Sequence, residues 1–263
     1  LRRENQDHFL VCSLRKQMLV HHTSLTELAS LPVAAERLAF VAMVADGVGG
    51  GARGEEAARL AVETVTQYIT DSTRCYYAAR DTDDSEFSQV LEDAALQCHA
   101  DCIQRAARDP EASGMATTLT LWLGVWPRAY LLQVGDSRCY LLRRGQLMQI
   151  SRDQTLAQEL IDLGVLSRAD AAHSRLATTL SSAIGGRQPA PVVTRIDQEW
   201  GMAGLLCSDG LTRHVPDERI RDRLRTMTSA KQACEDLLQD ALDGGGTDNI
   251  TIVVGRVLAR DPA

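Results

Sequence analysis

The sequence predicts a segregated α+β fold, on three observations. Short apolar, β-branched runs recur along the chain, two long stretches carry helical periodicity instead, and one tight reversal joins two of the runs as a hairpin. The order is strands, then helices, then strands, which differs from the regular alternation of a βαβ winding.

Taken in order, Phe9 to Cys12 and Leu38 to Ala45 read as the opening strands. A helix follows from about Gly54 to Ile69, with Glu55 and Glu56 in its first turn, where carboxylates complement the positive end of the dipole. From Ser85 to Ala107 the residues Phe87, Leu91, Ala94, Cys98 and Cys102 recur at three- and four-residue spacing and form one apolar stripe. Cys98 and Cys102 share that stripe without a second pair of ligands, so they are expected as core thiols and not as a metal site. Strands are then predicted at Thr117 to Val125, Tyr130 to Val134, Cys139 to Leu142 and Leu147 to Ile150. Arg143-Arg144-Gly145-Gln146 is the reversal that makes Cys139 to Ile150 a hairpin and its neighbours antiparallel. A helical piece from about Thr155 to Leu163 stops at Gly164, a second opens over Ser167 to Ala172, and Ile184 to Gly201 reads as irregular chain. Gly204 to Cys207 and Ile250 to Val254 close the set of strands.

Composition narrows the function classes. The 263 residues hold 28 Lys and Arg against 35 Asp and Glu, a net charge of -7, so no basic field is available to a nucleic-acid backbone. Apolar runs such as Leu119 to Trp126 fall well short of the roughly 20 residues of a membrane span. Seven cysteines without a CxxC pair argue against a disulfide framework or a zinc ribbon and for a reducing, cytoplasmic setting. The chain opens on Leu1 with no charged-then-apolar leader, as expected of a piece of a longer protein.

Three strands end in an aspartate. They are Phe40-Val41-Ala42-Met43-Val44-Ala45-Asp46-Gly47, Tyr130-Leu131-Leu132-Gln133-Val134-Gly135-Asp136-Ser137 and Gly204-Leu205-Leu206-Cys207-Ser208-Asp209-Gly210. A fourth reverses the order, with Asp248 ahead of the run Ile250 to Val254, so an antiparallel strand returns it to the same edge of the sheet. Each such Asp-Gly or Gly-Asp alone is an ordinary turn former. Four anionic groups converging at one rim instead call for a cation, and an oxygen-only set favours Mg2+ or Mn2+ over zinc. Gly47, Gly49, Gly50 and Gly51 leave the backbone bare beside Asp46, but no Lys-Ser/Thr follows, so this is not a P-loop.

Read together, the ordered motifs resemble the bacterial branch of the PP2C (PPM) metal-dependent protein phosphatases. They are Arg2-Arg3-Glu4-Asn5-Gln6-Asp7, Val44-Ala45-Asp46-Gly47-Val48-Gly49-Gly50, Gly114-Met115-Ala116-Thr117-Thr118-Leu119 and Gly135-Asp136-Ser137-Arg138-Cys139-Tyr140, followed by the Leu176 to Gly185 stretch, Ser208-Asp209-Gly210-Leu211-Thr212 and Gly246-Thr247-Asp248-Asn249-Ile250-Thr251. The resemblance implies one domain over 1–263 with a flap at about 153–187, built as a central β-sandwich of two antiparallel sheets with helices on both outer faces. It further implies hydrolysis of phosphoserine and phosphothreonine in proteins by a water activated between two Mn2+ or Mg2+ ions. Asp46 would bridge the ions, the Gly47 carbonyl would bind one, Asp209 and Asp248 would complete the other, and Asp136 with Asp209 would form a looser third site. Asp7 would order metal-bound water, and Arg2 would hold the substrate phosphate. The implied partners are phosphoproteins made by a Ser/Thr kinase, met by a cytoplasmic monomer.

Several positions depart from that pattern. Gln6 stands where many relatives have a Glu ligand, and Arg213 where many have Asp, a cation that would either repel a third metal or contact phosphate. Val48 replaces the His of the eukaryotic motif, which leaves metal-bound water as the leaving-group acid. The stretch Arg15 to Arg37 is longer than the usual first connection. His21-His22 lacks partners at ligand spacing and reads as an exposed hairpin, His173 reads as a solvated residue of the flap, and His214 receives no role. The alternatives are a regulatory pseudophosphatase of the same fold that binds metal weakly, supported by Gln6 and Arg213, and a hydrolase of small phosphoesters.

Overall fold

Strands that must bury both faces read as continuous apolar runs, and this chain uses such runs in two sheets stacked face to face. The computed structural model describes residues 4–16, 36–48, 52–72, 84–172 and 174–259. The strands are β1 (Asp7–Lys16), β2 (Glu36–Val48), β3 (Ala116–Thr117), β4 (Leu119–Val125), β5 (Arg128–Val134), β6 (Arg138–Arg143), β7 (Gln146–Gln149), β8 (Val192–Asp197), β9 (Ala203–Cys207) and β10 (Ile252–Arg256). The first sheet runs β1-β2-β4-β5-β8, with β3 paired to β2, and the second runs β10-β9-β6-β7. Every pairing is antiparallel.

The two-residue period of β2 divides its side chains between two cores. Val41, Met43 and Ala45 face the helices α1 (Ala52–Asp71) and α2 (Asp84–Arg108), packing with Ala61, Val65, Leu91 and Cys98. Ala42 and Val44 face the second sheet and meet Leu131, Leu141, Met202 and Leu206. On the outer side of that sheet, Tyr140, Leu205 and Cys207 pack under Leu211, Ile220, Leu224 and Leu237 of three more helices. These are α5 (Asp209–Thr212), α6 (Asp217–Thr226) and α7 (Ala230–Asp243). The layers are helix, sheet, sheet, helix, as the resemblance implies. Cys98 and Cys102 are buried on the α2 stripe, and the six described cysteines are free.

The predicted hairpin forms with Arg144 and Gly145 both at positive φ, the backbone of a tight turn matched to strand twist. Three expectations are corrected. The run Thr117 to Val125 breaks at Thr118, whose hydroxyl accepts from the Asp46 amide at 3.0 Å. The last strand starts at Ile252 and not at Ile250, because Asn249 and Thr251 are engaged at the sheet edge. Within the stretch expected to be irregular, Val192–Asp197 forms the edge strand β8. Among the described residues no strand pairs with its outer side, and it carries Thr, Arg and Asp where an interior strand carries apolar residues.

Helices α6 and α7 were not anticipated. Only Ile220 and Leu224 of α6 are buried, while α7 buries Ala233, Leu237 and Ala241 at four-residue spacing behind a Ser229 cap. The helical pieces α3 (Leu156–Asp162) and α4 (Arg168–Ala172) fall where expected, with Thr155 capping the first and Gly164 at φ 70 after its end. Among the described residues no helix is long and apolar enough to cross a membrane.

Because Leu91 is fully buried and Leu96 on the same helix is 46% exposed, truncating them separates core from surface. Leu91→Ala is expected to lower unfolding free energy by about 2–5 kcal/mol and Leu96→Ala by about 0.5 kcal/mol or less. Equal losses in denaturant titration would contradict the assigned face of α2.

Candidate metal centre

The ends of five strands meet at one edge of the sandwich. Register places Asp7 directly opposite Asp46, at the start of β1 and near the end of β2. Asp136 lies in the short link between β5 and β6, Asp209 follows β9, and Asp248 precedes β10. Cys207 pairs with Ile252, so the antiparallel return of Asp248 toward Asp209 occurs as expected. A separate cavity of about 1180 Å³, lined by Trp122, Trp126, Trp200 and Met202, opens at the opposite end of the strands.

Tight backbone approaches set this edge. A Cβ at Gly47 would lie 2.3 Å from the Gly54 carbonyl oxygen, and one at Gly210 would lie 1.9 Å from the Asn249 oxygen. Only glycine lets the Asp46 and Asp209 turns come this close to their neighbours. Gly135, at φ 102, presses against Thr118, and its amide donates to the Gln154 side chain at 2.7 Å. Thr118 and Ser137 share a hydroxyl hydrogen bond of 2.8 Å, which ties the Asp46 turn to the Asp136 link.

Asp7 joins the two sheets. Its Oδ2 accepts from Ser208 Oγ and from Thr251 Oγ1, each at 2.8 Å, and Ser208 Oγ in turn accepts from the Thr251 amide. Among the described residues its Oδ1 is buried without a hydrogen-bond partner. Asn249 clamps the first described residues, accepting from the Gln6 amide and donating to the Glu4 carbonyl, both at 3.1 Å. Gln6 itself is buried against Gly54.

Burial first, and then the repulsion of Asp7, Asp209, Asp136 and Asp248, push the Asp46 carboxyl well above the ordinary range. Burial with Asp209 and Asp153 raises Asp136 to about 7. Asp209 is raised by burial and by Asp248 and Asp7, against the opposing pull of Arg213. Burial also raises Asp7, against its two hydroxyl donors. The Arg213 guanidinium donates to Asp248 Oδ2 at 2.8 Å and pairs with Asp209. Among the described residues no three His, Cys, Asp or Glu side chains cage a common point, and Arg213 stands at the oxygens of two of the carboxylates instead.

The donor set nevertheless fits hard divalent cations. It is all oxygen, buried at Asp7 and Asp136 and partly buried at the others, mutually repulsive and, among the described residues, left with an orphaned acceptor on Asp7. Gly47, next to Asp46 in β2, is held at this edge by its pairing with Thr117 of β3. Arg2, Gly49 to Gly51, His21, His22 and His173 lie outside the described residues.

Two sets of contributors escaped the sequence. Ser208 and Thr251 position Asp7, a link between residues more than 200 positions apart that no local pattern signals. His214 donates from Nδ1 to the Gly244 carbonyl at 3.0 Å and accepts at Nε2 from the Thr247 amide at 3.1 Å, holding the turn before Asp248. Its position five residues after Asp209 is the only local hint.

Residues 31–244 match the family model described as "Protein phosphatase 2C". The chain is 36% identical over 221 residues to the serine/threonine protein phosphatase PstP of Mycobacterium tuberculosis, covering 83% of this chain and 40% of PstP. It is 29% identical over 215 residues to the serine/threonine phosphatase stp of Listeria welshimeri, covering 81% and 83% of the two chains. A crystal structure of the PstP catalytic domain in complex with two manganese ions superposes with a TM-score of 0.71 at 29% identity, over 96% of this chain and 99% of that one. The chain thus spans about two-fifths of the length of PstP.

Metal-free protein should show an inverted pH dependence. Carboxyls raised in the folded state hold protons there that the unfolded chain releases near 3.8, so their stabilisation is complete below about pH 4 and lost as pH rises through about 7. In chelator, Tm is expected to fall between about pH 6 and 8, and added Mn2+ to recover it at the upper end. A Tm that is flat or rises over that interval would refute this.

Proposed function

The chain belongs to the protein phosphatase 2C family, and from that premise we propose that it hydrolyses phosphoserine and phosphothreonine esters in proteins, using two Mn2+ or Mg2+ ions. The observation that carries this reading is the partly buried Asp46 carboxyl, raised by desolvation and by four other carboxylates that approach it from three further strand ends and the start of β1. Such a group of like charges is stable only with protons or cations among them.

When bound, the ions supply Lewis acidity and a water acidic enough to act as hydroxide near neutral pH. Asp46, the Gly47 carbonyl, Asp209 and Asp248 would hold the two ions, and Asp136 together with Asp209 would hold a third more loosely. Asp7 is fixed by Ser208 and Thr251, which leaves its Oδ1 to accept from water inside the site. Water is the nucleophile in this reading, since Cys139 and Cys207 are buried between layers and not at the edge. Arg2 holds the phosphate, a role supported by the motif it shares with Asn5, Gln6 and Asp7, whose own positions border the carboxylates.

Residues 1–263 act as one catalytic domain, with 153–187 as its flap. Supporting this, Glu4 and Gln6 at one end of the chain are clamped by Asn249 at the other. Within the flap Thr155 pairs with Leu180, and Ile184 near its far end pairs with Thr117 of β3. The substrates are phosphoproteins of a Ser/Thr kinase in a signalling pathway, met by a cytoplasmic monomer; the free cysteines support a reducing compartment.

The test is hydrolysis of a phosphothreonine peptide in Mn2+, with and without chelator. Turnover should depend on the metal, and Asp209→Ala should lower kcat/KM by at least about a hundredfold. Without metal-dependent turnover in either Mn2+ or Mg2+, a metal-poor regulatory module is the better reading. The seating of Arg213 on two of the carboxylates is the observation that would then favour it.

A further inference from the structure

We propose that Arg213 is a built-in counter-cation of the metal centre, which the incoming metal must displace from Asp209 and Asp248, so that this side chain sets the metal affinity of the enzyme. The inference rests on the assignment of those carboxylates as metal ligands. Three features of the chain carry it. First, the helix α5 is a single turn whose first residue is Asp209, and the Arg213 amide closes it onto the Asp209 carbonyl at 3.0 Å. That turn fixes Arg213 four residues beyond Asp209, on the same face. Second, the guanidinium forks between the two carboxylates, one nitrogen on Asp209 Oδ2 and the other on Asp248 Oδ2. An Arg fork can satisfy two separate anions in this way, while a Lys ammonium cannot do so from fixed planar positions. Third, the partners differ in burial: the Asp209 and Asp248 side chains are 15% and 13% exposed, and that of Arg213 is 37% exposed. The carboxylates therefore stay in place, while the arginine has a path to solvent.

The consequence is a competition. In the metal-free protein the guanidinium offsets part of the repulsion among Asp46, Asp209 and Asp248 and so favours the folded chain. A divalent ion taking the same oxygens must expel it, and its apparent affinity is reduced by the strength of the arginine contacts. Arg213 occupies two carboxylate oxygens that the ion would otherwise take. Metal loading is accordingly tied to the free concentration of Mn2+ or Mg2+ over a higher range than the carboxylate set alone would give.

Titration calorimetry of Mn2+ into the metal-stripped chain, with thermal unfolding in chelator and in saturating Mn2+, tests this without reference to phosphatase activity. Arg213→Ala is expected to bind Mn2+ about tenfold more tightly, a change of about 1.4 kcal/mol. Its Tm in chelator should be lower than that of the wild type, and its rise on adding Mn2+ larger. Arg213→Lys, which retains charge without the fork, should fall between the two and serves if the Ala variant does not fold metal-free. An affinity unchanged within twofold, or weakened, in variants with wild-type circular dichroism overturns the proposal. So does an unchanged affinity accompanied by a raised KM for phosphopeptide, which would make Arg213 a phosphate contact. If the wild type itself binds no Mn2+, the metal-centre reading fails along with this one; if the wild type binds and the variants match it, only the role of Arg213 fails.

Discussion

Five carboxyl groups share the rim where the two sheets end, and they cannot share it as five anions. Burial removes the water that would screen Asp7, Asp46 and Asp136, and each neighbour raises the free energy of the next ionised group. Protons, the Arg213 guanidinium and divalent cations are the available compensations. Much of the surrounding structure serves to keep those oxygens together despite their repulsion: glycines at 47 and 210 that admit close backbone passage, and hydroxyls of Ser208 and Thr251 that hold one oxygen of Asp7.

Holding like charges together requires a frame that does not relax, and the four-layer packing supplies it. Strand β2 contributes to two cores at once, through alternate side chains, so it can neither slide nor tilt without opening a cavity on one side or the other. Asp46 sits at the end of that strand. The second sheet is locked in the same way between the inter-sheet core and the α5 to α7 layer, and Asp209 and Asp248 follow or precede its strands. Asp7 then links the sheets at the rim itself.

Much of this was legible in the sequence because it depends on local rules. Apolar runs located the interior strands, the α2 stripe located its buried face, and aspartates placed at matching ends of antiparallel runs located the edge where the carboxylates meet. What was missed has physical reasons. The edge strand β8 has one neighbour among the described residues, and its pattern of Val, Thr, Arg, Ile and Asp is diluted by solvent-facing positions. Helix α6 buries two side chains among charged ones, too few to mark a period. The break at Thr118 has no local cause, since it arises from a hydrogen bond with the amide of Asp46, 72 residues away.

The sequence by itself determined the type of chemistry: acidic side chains at strand ends, bare glycines beside them and an ordered set of family motifs specify an oxygen-lined cation site on an α+β scaffold. Tertiary structure alone decided how the charges are balanced. Sequence spacing could offer Arg213 either repulsion of a metal or contact with phosphate, because it says nothing of what lies across the edge. Only the antiparallel pairing of β9 and β10 brings Asp248 within reach of the same guanidinium that a single helical turn sets on Asp209. Likewise Ser208, Thr251 and His214 acquire their roles from contacts that the fold creates between distant segments, and such contacts leave no periodic trace along the chain.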